Sequence, residues 1–160
     1  MIKEVVIVGG GVGGVHVARQ LASEHDIHIV LIDKEYYHTF HPNLYEVATA
    51  NIPEELDATA SEFSMLRGTA AYPLDQMFLD HTNVTVICDE VVGADFTKQT
   101  ITLKSGALQS YDILVLAIGS ESNYFNIPKL SEYALPLKSL WDAMQLRNEL
   151  ETLKNNPAIN

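Results

Sequence analysis

The chain has 160 residues, of which 47% are hydrophobic and 19% are charged, so one globular domain with a packed core is expected. Its formal net charge is −11 at pH 7, and its ten Lys and Arg residues are too few and too spread out for nucleic-acid binding. The single cysteine, Cys88, excludes an internal disulfide and a CxxC redox pair, and we expect it to be a buried core residue.

The start of the chain predicts a strand, a helix and a second strand. The run IKEVVIV at 2–8 is rich in β-branched residues and stops at a glycine, which favours a buried strand. Val15, Ala18 and Ala22 then recur at helical spacing, which indicates an amphipathic helix. IHIVLID at 27–33 is typical of another strand, so the three elements predict one βαβ unit with a parallel strand pair.

A glycine-rich turn separates the first strand from the helix. Gly9, Gly11 and Gly14 form GxGxxG in the strand–turn–helix context that gives the motif its meaning. Gly9 is predicted to turn the chain, Gly11 to admit a pyrophosphate, and Gly14 to let the helix pack closely. The helix N-terminus would offer free N–H groups to the phosphates. Asp33, about 20 residues further on, would accept hydrogen bonds from a ribose, which disfavours a 2′-phosphate. Glycines that serve close packing alone are the other interpretation.

The middle of the chain mixes irregular segments with further strands. Residues 34–68 are irregular and rich in aromatic residues, which predicts short helices above a ligand. The segment 72–80 resembles a helix with a proline near its start. Residues 83–106 predict a strand and a hairpin that turns at residues 98 and 99. The run YDILVLAIG at 111–119 is almost continuously apolar, which is typical of a parallel strand covered on both faces.

A final helix is indicated after residue 138. Ser139 and Asp142 fit a capping box, and Leu140, Met144 and Leu153 recur on one apolar face. This spacing predicts a helix of three or four turns.

Five segments, taken in this order along the chain, resemble the two-dinucleotide-binding-domain flavoproteins and, among them, the type II NADH dehydrogenases. They are VVIVGGGVGGVHVARQL, VLIDKEYYHTFHPNLYEVATA, DEVVGADFTKQTITLKSG, YDILVLAIGSESNYFNIP and LKSLWDAMQLRNELE. The stretch at 41–50 is the most specific, because it is similar to the PLLYEVATG segment of these dehydrogenases and of the related sulfide:quinone enzymes. The resemblance implies an α/β, Rossmann-like, three-layer FAD/NAD(P)-binding fold, in which a parallel sheet carries an added antiparallel β hairpin.

The resemblance also implies a set of residues that contact FAD. They are Gly9, Gly11, Val12, Gly13, Gly14, Asp33, Lys34, His41, Pro42, Val91, Ala117 and Gly119. The four glycines at the start of this set would line the pyrophosphate, Asp33 would bind the adenosine ribose, and Lys34 would flank that ribose. His41 and Pro42 would approach the flavin from a loop, the Val91 backbone would meet the adenine, and the last two would form a second flavin-contacting turn. Asn43 and Ala50 stand where the family usually has Leu and Gly.

The same resemblance implies an activity and a domain organisation. Residues 1–160 would be the first segment of an FAD-binding domain, with the NADH domain and the C-terminal half of the FAD domain absent. The implied protein is an FAD-dependent NADH:quinone oxidoreductase, in which hydride passes from NADH to FAD and electrons then pass to an acceptor. We expect the isolated chain to be inactive, and its catalytic residues are unknown. A cytoplasmic location is expected, and peripheral membrane contact through the absent C-terminus and a homodimer are left open.

Several alternatives to this activity remain. A sulfide:quinone oxidoreductase-like flavoprotein and a stand-alone nucleotide-binding module without turnover are both compatible with the motif. A disulfide reductase of the same superfamily would need two cysteines, and the chain has one. His38 and His41 lack further ligands at zinc-like spacing, so we expect hydrogen-bonded loop histidines and no metal.

Overall fold

The computed structural model describes residues 2–50 and 60–155, and for residues 60–63 it describes the backbone alone. The chain divides into two compact units. Unit 1 comprises Met1–His38 and Tyr72–Gly119, and unit 2 comprises Thr39–Ala71 and Ser120–Asn160.

The described residues form strands, α-helices and two short 3-10 helices. The strands are β1 (Lys3–Val8), β2 (Ile27–Asp33), β3 (Tyr37–Thr39), β4 (Ala71–Pro73), β5 (Val84–Cys88), β6 (Val91–Asp95), β7 (Thr100–Leu103), β8 (Leu108–Ser110) and β9 (Ile113–Leu116). The α-helices are α1 (Val12–Leu21), α2 (Leu44–Thr49), α3 (Ala60–Ala70), α4 (Leu130–Tyr133) and α5 (Leu140–Lys154). The 3-10 helices are His41–Asn43 and Gln76–Phe78.

A four-stranded parallel sheet is the centre of unit 1. Its strand order is β5-β2-β1-β9, so the chain leaves β1 towards β2 on one side and returns to β9 on the other. Because strand side chains alternate between faces, Val5 and Ile29 point to one layer while Val6 and Val30 point to the opposite layer. The predicted βαβ unit and its two strands are confirmed.

Helix α1 covers one face of this sheet. Val15, Ala18 and Ala22 are buried against Ile7 and Leu31, together with neighbouring strand residues. The predicted amphipathic helix is therefore confirmed, and its apolar stripe faces the sheet as the spacing indicates.

A small antiparallel sheet covers the other face. Strands β6, β7 and β8 form it, and Ile101, Leu103 and Tyr111 are buried against side chains of β1 and β2. The Asp95 carboxylate accepts hydrogen bonds from the N–H groups of Thr97 and Lys98, which fixes the hairpin turn at its predicted place. The predicted hairpin is confirmed, with β8 as an additional strand. Helix, parallel sheet and antiparallel sheet make the three layers of the expected α/β fold.

The segment at 72–80 differs from its prediction. Instead of a helix, Pro73 ends strand β4, and only the 3-10 helix Gln76–Phe78 follows. Leu74 and Phe78 are buried in the core beside α1, and the Asp75 carboxylate accepts the N–H of Gln76. The residues up to Pro73 belong to strand β4, and the residues after it are held in the core by Leu74 and Phe78. Only a single helical turn therefore forms in this segment. The sequence pattern could not distinguish that turn from a longer helix.

Strand β9 also differs from its prediction. It pairs with β1 at the edge of the sheet, and Ile113 is 46% and Leu116 is 59% exposed. The strand is parallel as expected, but the described residues do not cover it on both faces. An apolar run indicates that a strand prefers to be buried, but it does not identify the element that covers the strand.

Unit 2 is built from helices. Leu44, Val47, Ala48, Leu66, Ala70 and Ala143 form its buried cluster. The predicted capping box at the start of α5 is confirmed, because the Ser139 hydroxyl accepts the Asp142 N–H and the Asp142 carboxylate accepts the Ser139 N–H. The helix buries Ala143 and Arg147, whereas Leu153 on the predicted apolar face is 47% exposed.

Arg147 is buried because its guanidinium finds partners within unit 2. Its Nε donates to the Ala50 carbonyl at 3.2 Å, and one terminal nitrogen lies 3.0 Å from the Glu151 carboxylate. Paired in this way, the charge is accommodated inside the unit. No helix in the described part of the chain is both long enough and apolar enough to cross a membrane.

Candidate dinucleotide-binding site

The predicted site residues of unit 1 gather at the carboxyl ends of the parallel strands. The glycine loop follows β1, Asp33 ends β2, and Ala117 follows β9. The Gly9 N–H donates to the Ile32 carbonyl at 2.7 Å, and the Ala117 N–H donates to the Val8 carbonyl at 2.8 Å. These bonds join the three strand ends, and the carboxyl edge of a parallel sheet is where such folds bind nucleotides.

Gly9 makes the sharp turn that the motif predicts. Its φ of +108° lies in a region that side chains rarely allow, and a Cβ there would stand 2.3 Å from the Ala117 carbonyl oxygen. The chain can therefore leave β1 at this angle only with glycine.

Gly14 provides the close helix packing that the motif predicts. A Cβ at this position would stand 1.8 Å from the Gly9 carbonyl oxygen. The first turn of α1 thus rests directly on the backbone of the loop that leads into it.

Gly11 and Gly13 have open surroundings. Apart from chain neighbours, no heavy atom of the described residues lies within 4 Å of a Cβ built on Gly11, and the nearest atom to one on Gly13 is the Ala117 Cβ at 3.8 Å. Gly11 is the N-cap of α1 and provides no side-chain cap, while Val12 in the first turn is 60% exposed. This uncapped helix start beside open space fits a pyrophosphate held by backbone N–H groups.

Asp33 faces the loop. Its Oδ2 accepts the Gly10 N–H at 2.5 Å, and its Oδ1 accepts the Glu35 N–H at 2.7 Å. A carboxylate offers about four lone-pair sites, so two remain for ribose hydroxyls. Asp33 therefore combines a structural bond to the loop with capacity for a ligand.

Gly10 is a site residue that sequence reasoning missed. A Cβ there would stand 2.6 Å from Leu74 Cδ1 and 3.2 Å from Asp33 Cβ, and its carbonyl accepts a hydrogen bond from His38 Nδ1 at 2.9 Å. Gly10 occupies a variable position of GxGxxG, and its place as the middle of three consecutive glycines was the only signal for it.

Other predicted residues of unit 1 lie around the sheet edge. Lys34 is exposed next to Asp33, Val91 is the half-buried first residue of β6, and Gly119 has a φ of +70° after β9. The structure does not assign them a ligand, so their contacts to FAD stay predictions.

The predicted burial of Cys88 is wrong. The residue is exposed at the end of β5, and its Sγ lies 3.7 Å from the Lys34 carbonyl oxygen. Partial desolvation, followed by the charges of Asp33, Glu35 and Asp89, raises the pKa of the thiol. A raised pKa disfavours the nucleophilic thiolate.

His41 and Pro42 belong to unit 2. They lie in the 3-10 helix His41–Asn43, where the Asn43 side chain donates to the Thr69 carbonyl at 2.9 Å. Their approach to a flavin stays a prediction. Across the residues that the structure describes, no group of three or more His, Cys, Asp or Glu side chains could hold a metal ion.

Comparisons with known proteins agree with this geometry. Residues 3–155 match the family described as pyridine nucleotide-disulphide oxidoreductase. The chain is 32% identical over 149 residues to the type II NADH:quinone oxidoreductase NdhA of Mycobacterium tuberculosis, covering 91% of this chain and 29% of that protein. It is 33% identical to Ndh of the same organism, with the same coverage.

Solved structures share the fold. The sulfide:quinone oxidoreductase from Aquifex aeolicus matches with a TM-score of 0.77 and 27% identity, over 97% of this chain and 33% of that one. NDH2 from Plasmodium falciparum, solved in complex with NADH, matches with a TM-score of 0.77 and 20% identity, over 100% of this chain and 31% of that one.

The chain thus spans less than a third of the length of the two mycobacterial relatives. The resemblance to the type II NADH dehydrogenases is confirmed by these relatives, and the family match extends over nearly every residue. With its glycine loop, its Asp33 and its three layers, the chain belongs to the pyridine nucleotide-disulphide oxidoreductase family.

Proposed function

We propose that residues 1–160 form the first FAD-binding segment of an NADH:quinone oxidoreductase. The observation that carries the proposal is the open backbone cradle at Gly11, with the Asp33 carboxylate bonded to the adjoining Gly10 N–H. The similarity of this chain to proteins named type II NADH:quinone oxidoreductases also supports the proposal.

The proposed diphosphate ligand is an anion, and the protein carries a net charge of −11. Backbone N–H groups at the start of α1 would hold the diphosphate by direct hydrogen bonds, aided by the positive end of the helix dipole. These interactions act at short range and do not require a positive net charge. The acidic composition is therefore compatible with the site.

Asp33 would select the adenosine half of the ligand. Its remaining acceptor sites suit the two ribose hydroxyls, and its negative charge would repel a 2′-phosphate. Lys34 would flank the ribose, and the Val91 backbone would meet the adenine.

The flavin half would meet the other predicted residues. Ala117 already adjoins the glycine loop, and Gly119 follows it in the turn after β9. Contact of His41 and Pro42 with the flavin stays a prediction of the resemblance. When FAD is bound, it supplies the chemistry of accepting hydride from NADH and passing electrons to a quinone, while this chain binds and orients it.

A sulfide:quinone oxidoreductase is the second candidate function. The 27% identity and TM-score of 0.77 with the Aquifex aeolicus enzyme favour it. Against it, the Cys88 thiol donates a hydrogen bond to the Lys34 carbonyl and has a raised pKa. Both features disfavour the thiolate that would attack sulfur. We therefore place it after the NADH:quinone activity.

The absorption spectrum and reduction of the purified full-length protein test these functions. We expect flavin absorption bands that bleach on anaerobic addition of NADH and return on addition of a quinone. Bleaching by sulfide and not by NADH would select the second candidate. Colourless protein that binds ADP-ribose but not FAD in calorimetry would contradict both enzyme functions and leave a stand-alone nucleotide-binding module. Membrane contact and homodimer formation stay predictions.

A further inference from the structure

The peptide groups on both sides of Gly10 are held by side chains of unit 1. The Gly10 N–H donates to Asp33, and the Gly10 carbonyl accepts from His38 Nδ1 at 2.9 Å. His38 is only 8% exposed, whereas its sequence neighbours Tyr37 and Thr39 are half-buried. A buried histidine thus makes a hydrogen bond to the loop that would hold the diphosphate.

The protonation of His38 follows from its partner. A carbonyl oxygen only accepts hydrogen bonds, so Nδ1 must carry the proton. The imidazole is therefore either the Nδ1–H neutral tautomer or the doubly protonated cation.

The segment that carries His38 is itself anchored to the segment that covers Gly10. The Leu74 N–H donates to the Tyr36 carbonyl at 3.0 Å, and the Tyr36 hydroxyl donates to the Asp75 carboxylate. Leu74 is buried and would contact a Cβ on Gly10. His38 therefore reaches the loop from a fixed position.

Because the peptide group is planar, a hydrogen bond to the Gly10 carbonyl also determines the direction of the Gly11 N–H. In a trans peptide, the Gly10 carbonyl and the Gly11 N–H point in opposite directions in one plane. Fixing the carbonyl with His38 thus fixes the direction of the Gly11 N–H. A Cβ built on Gly11 would stand in open space.

We propose that His38 is a positioning residue, which orients the Gly10–Gly11 peptide so that the Gly11 N–H is preset to bind the dinucleotide diphosphate. The inference rests on the proposed function, because it requires a dinucleotide at the loop. His38 does not touch the ligand in this arrangement and acts through the peptide group.

Substitutions that keep or remove the Nδ1 donor test this role. Asparagine can place an amide N–H near the position of Nδ1, whereas leucine fills space without a donor. We expect His38→Leu to weaken FAD binding by about three- to tenfold and His38→Asn to stay within about twofold of wild type, as suits one neutral hydrogen bond. The exposed His25, in the turn before β2, provides the matched control His25→Leu, with unchanged affinity.

The dissociation constant for FAD, measured by fluorescence quenching, is the primary readout, with thermal unfolding recorded for each variant. Equal affinity of His38→Leu and wild type would overturn the inference and leave the proposed function intact. Equal weakening by both His38 variants would also overturn it, since a packing role would explain that result. A wild-type protein that binds no FAD would instead remove the proposed function and the inference together.

A measurement on the wild-type protein covers the case in which a His38 variant does not fold. Nitrogen chemical shifts of ¹⁵N-labelled histidine distinguish the two neutral tautomers. A proton on Nδ1 of His38, protected from exchange, supports the inference. A neutral ring protonated at Nε2 alone overturns it, because the bond to Gly10 could not then form.

Discussion

Gly14 and Gly11 lie three residues apart in one motif, and a side chain at each would meet very different surroundings. A Cβ on Gly14 would stand 1.8 Å from the Gly9 carbonyl oxygen, whereas Gly11 has open space. Gly11 also has φ −72° and ψ −169°, an extended conformation that any residue adopts. The fold therefore requires glycine at position 14, while at position 11 only a ligand would require it. The two positions therefore separate the structural role of the motif from its proposed role in ligand binding.

The largest expected effect on stability is at Gly14. Gly14→Ala should lower the free energy of unfolding by about 3 kcal/mol or more, because the new methyl group collides with backbone that cannot move aside cheaply. Urea denaturation followed by circular dichroism measures it. A loss below about 1 kcal/mol would mean that the first turn of α1 can shift, and the contrast with Gly11 would disappear.

The opposite result is expected at Gly11. Gly11→Val should abolish FAD and ADP-ribose binding in calorimetry, because the side chain fills the space proposed for the diphosphate, while the unfolding midpoint stays close to wild type. Gly68→Val is the matched control, since Gly68 in α3 also has open surroundings and lies outside the loop. Retained binding by Gly11→Val would place the diphosphate elsewhere.

Asp33 bonds the Gly10 N–H and has acceptor sites left for the proposed ribose, so its substitution should have an intermediate effect. Asp33→Asn should weaken ligand binding by about 1–3 kcal/mol, because one acceptor oxygen and the charge are lost. Asp112→Asn is a suitable control, since the Asp112 carboxylate accepts the Glu4 N–H at 2.7 Å and has no predicted role at the loop. If both variants bind the ligand equally well, the ribose does not contact Asp33.

The smallest effect is expected at Gly10, where the obstacle is the end of a flexible side chain. Gly10→Ala should cost about 1 kcal/mol of stability, the low end of the range for overpacking, because Leu74 can rotate away. The double variant Gly10→Ala with Leu74→Val should lose less stability than the two single changes added together. Strict additivity in denaturation would show that Leu74 is not the obstacle.

Local patterns were sufficient for the elements that build the site. Strand β2 has its predicted bounds at Ile27–Asp33, and the glycine spacing identified the turn at Gly9 and the close packing at Gly14. These features depend on contacts close in sequence or on a motif whose geometry is fixed by backbone sterics.

Features that depend on distant partners were missed or wrong. His38 reaches Gly10 from a separate strand, and no local pattern indicates such a bond. The exposure of Cys88 and the edge position of β9 depend on which elements pack beside them. Apolar character and spacing reveal that a residue can be buried, and tertiary context decides whether it is.

The Asp33 carboxylate and the His38 imidazole hold the two peptide groups that flank Gly10 with side chains of the protein itself. A loop that is already rigid loses little conformational entropy on binding, and such preorganisation increases affinity. A dinucleotide would bind to a loop that already has its binding conformation. Its association rate would therefore be governed by diffusion and orientation, without a slow rearrangement of the loop.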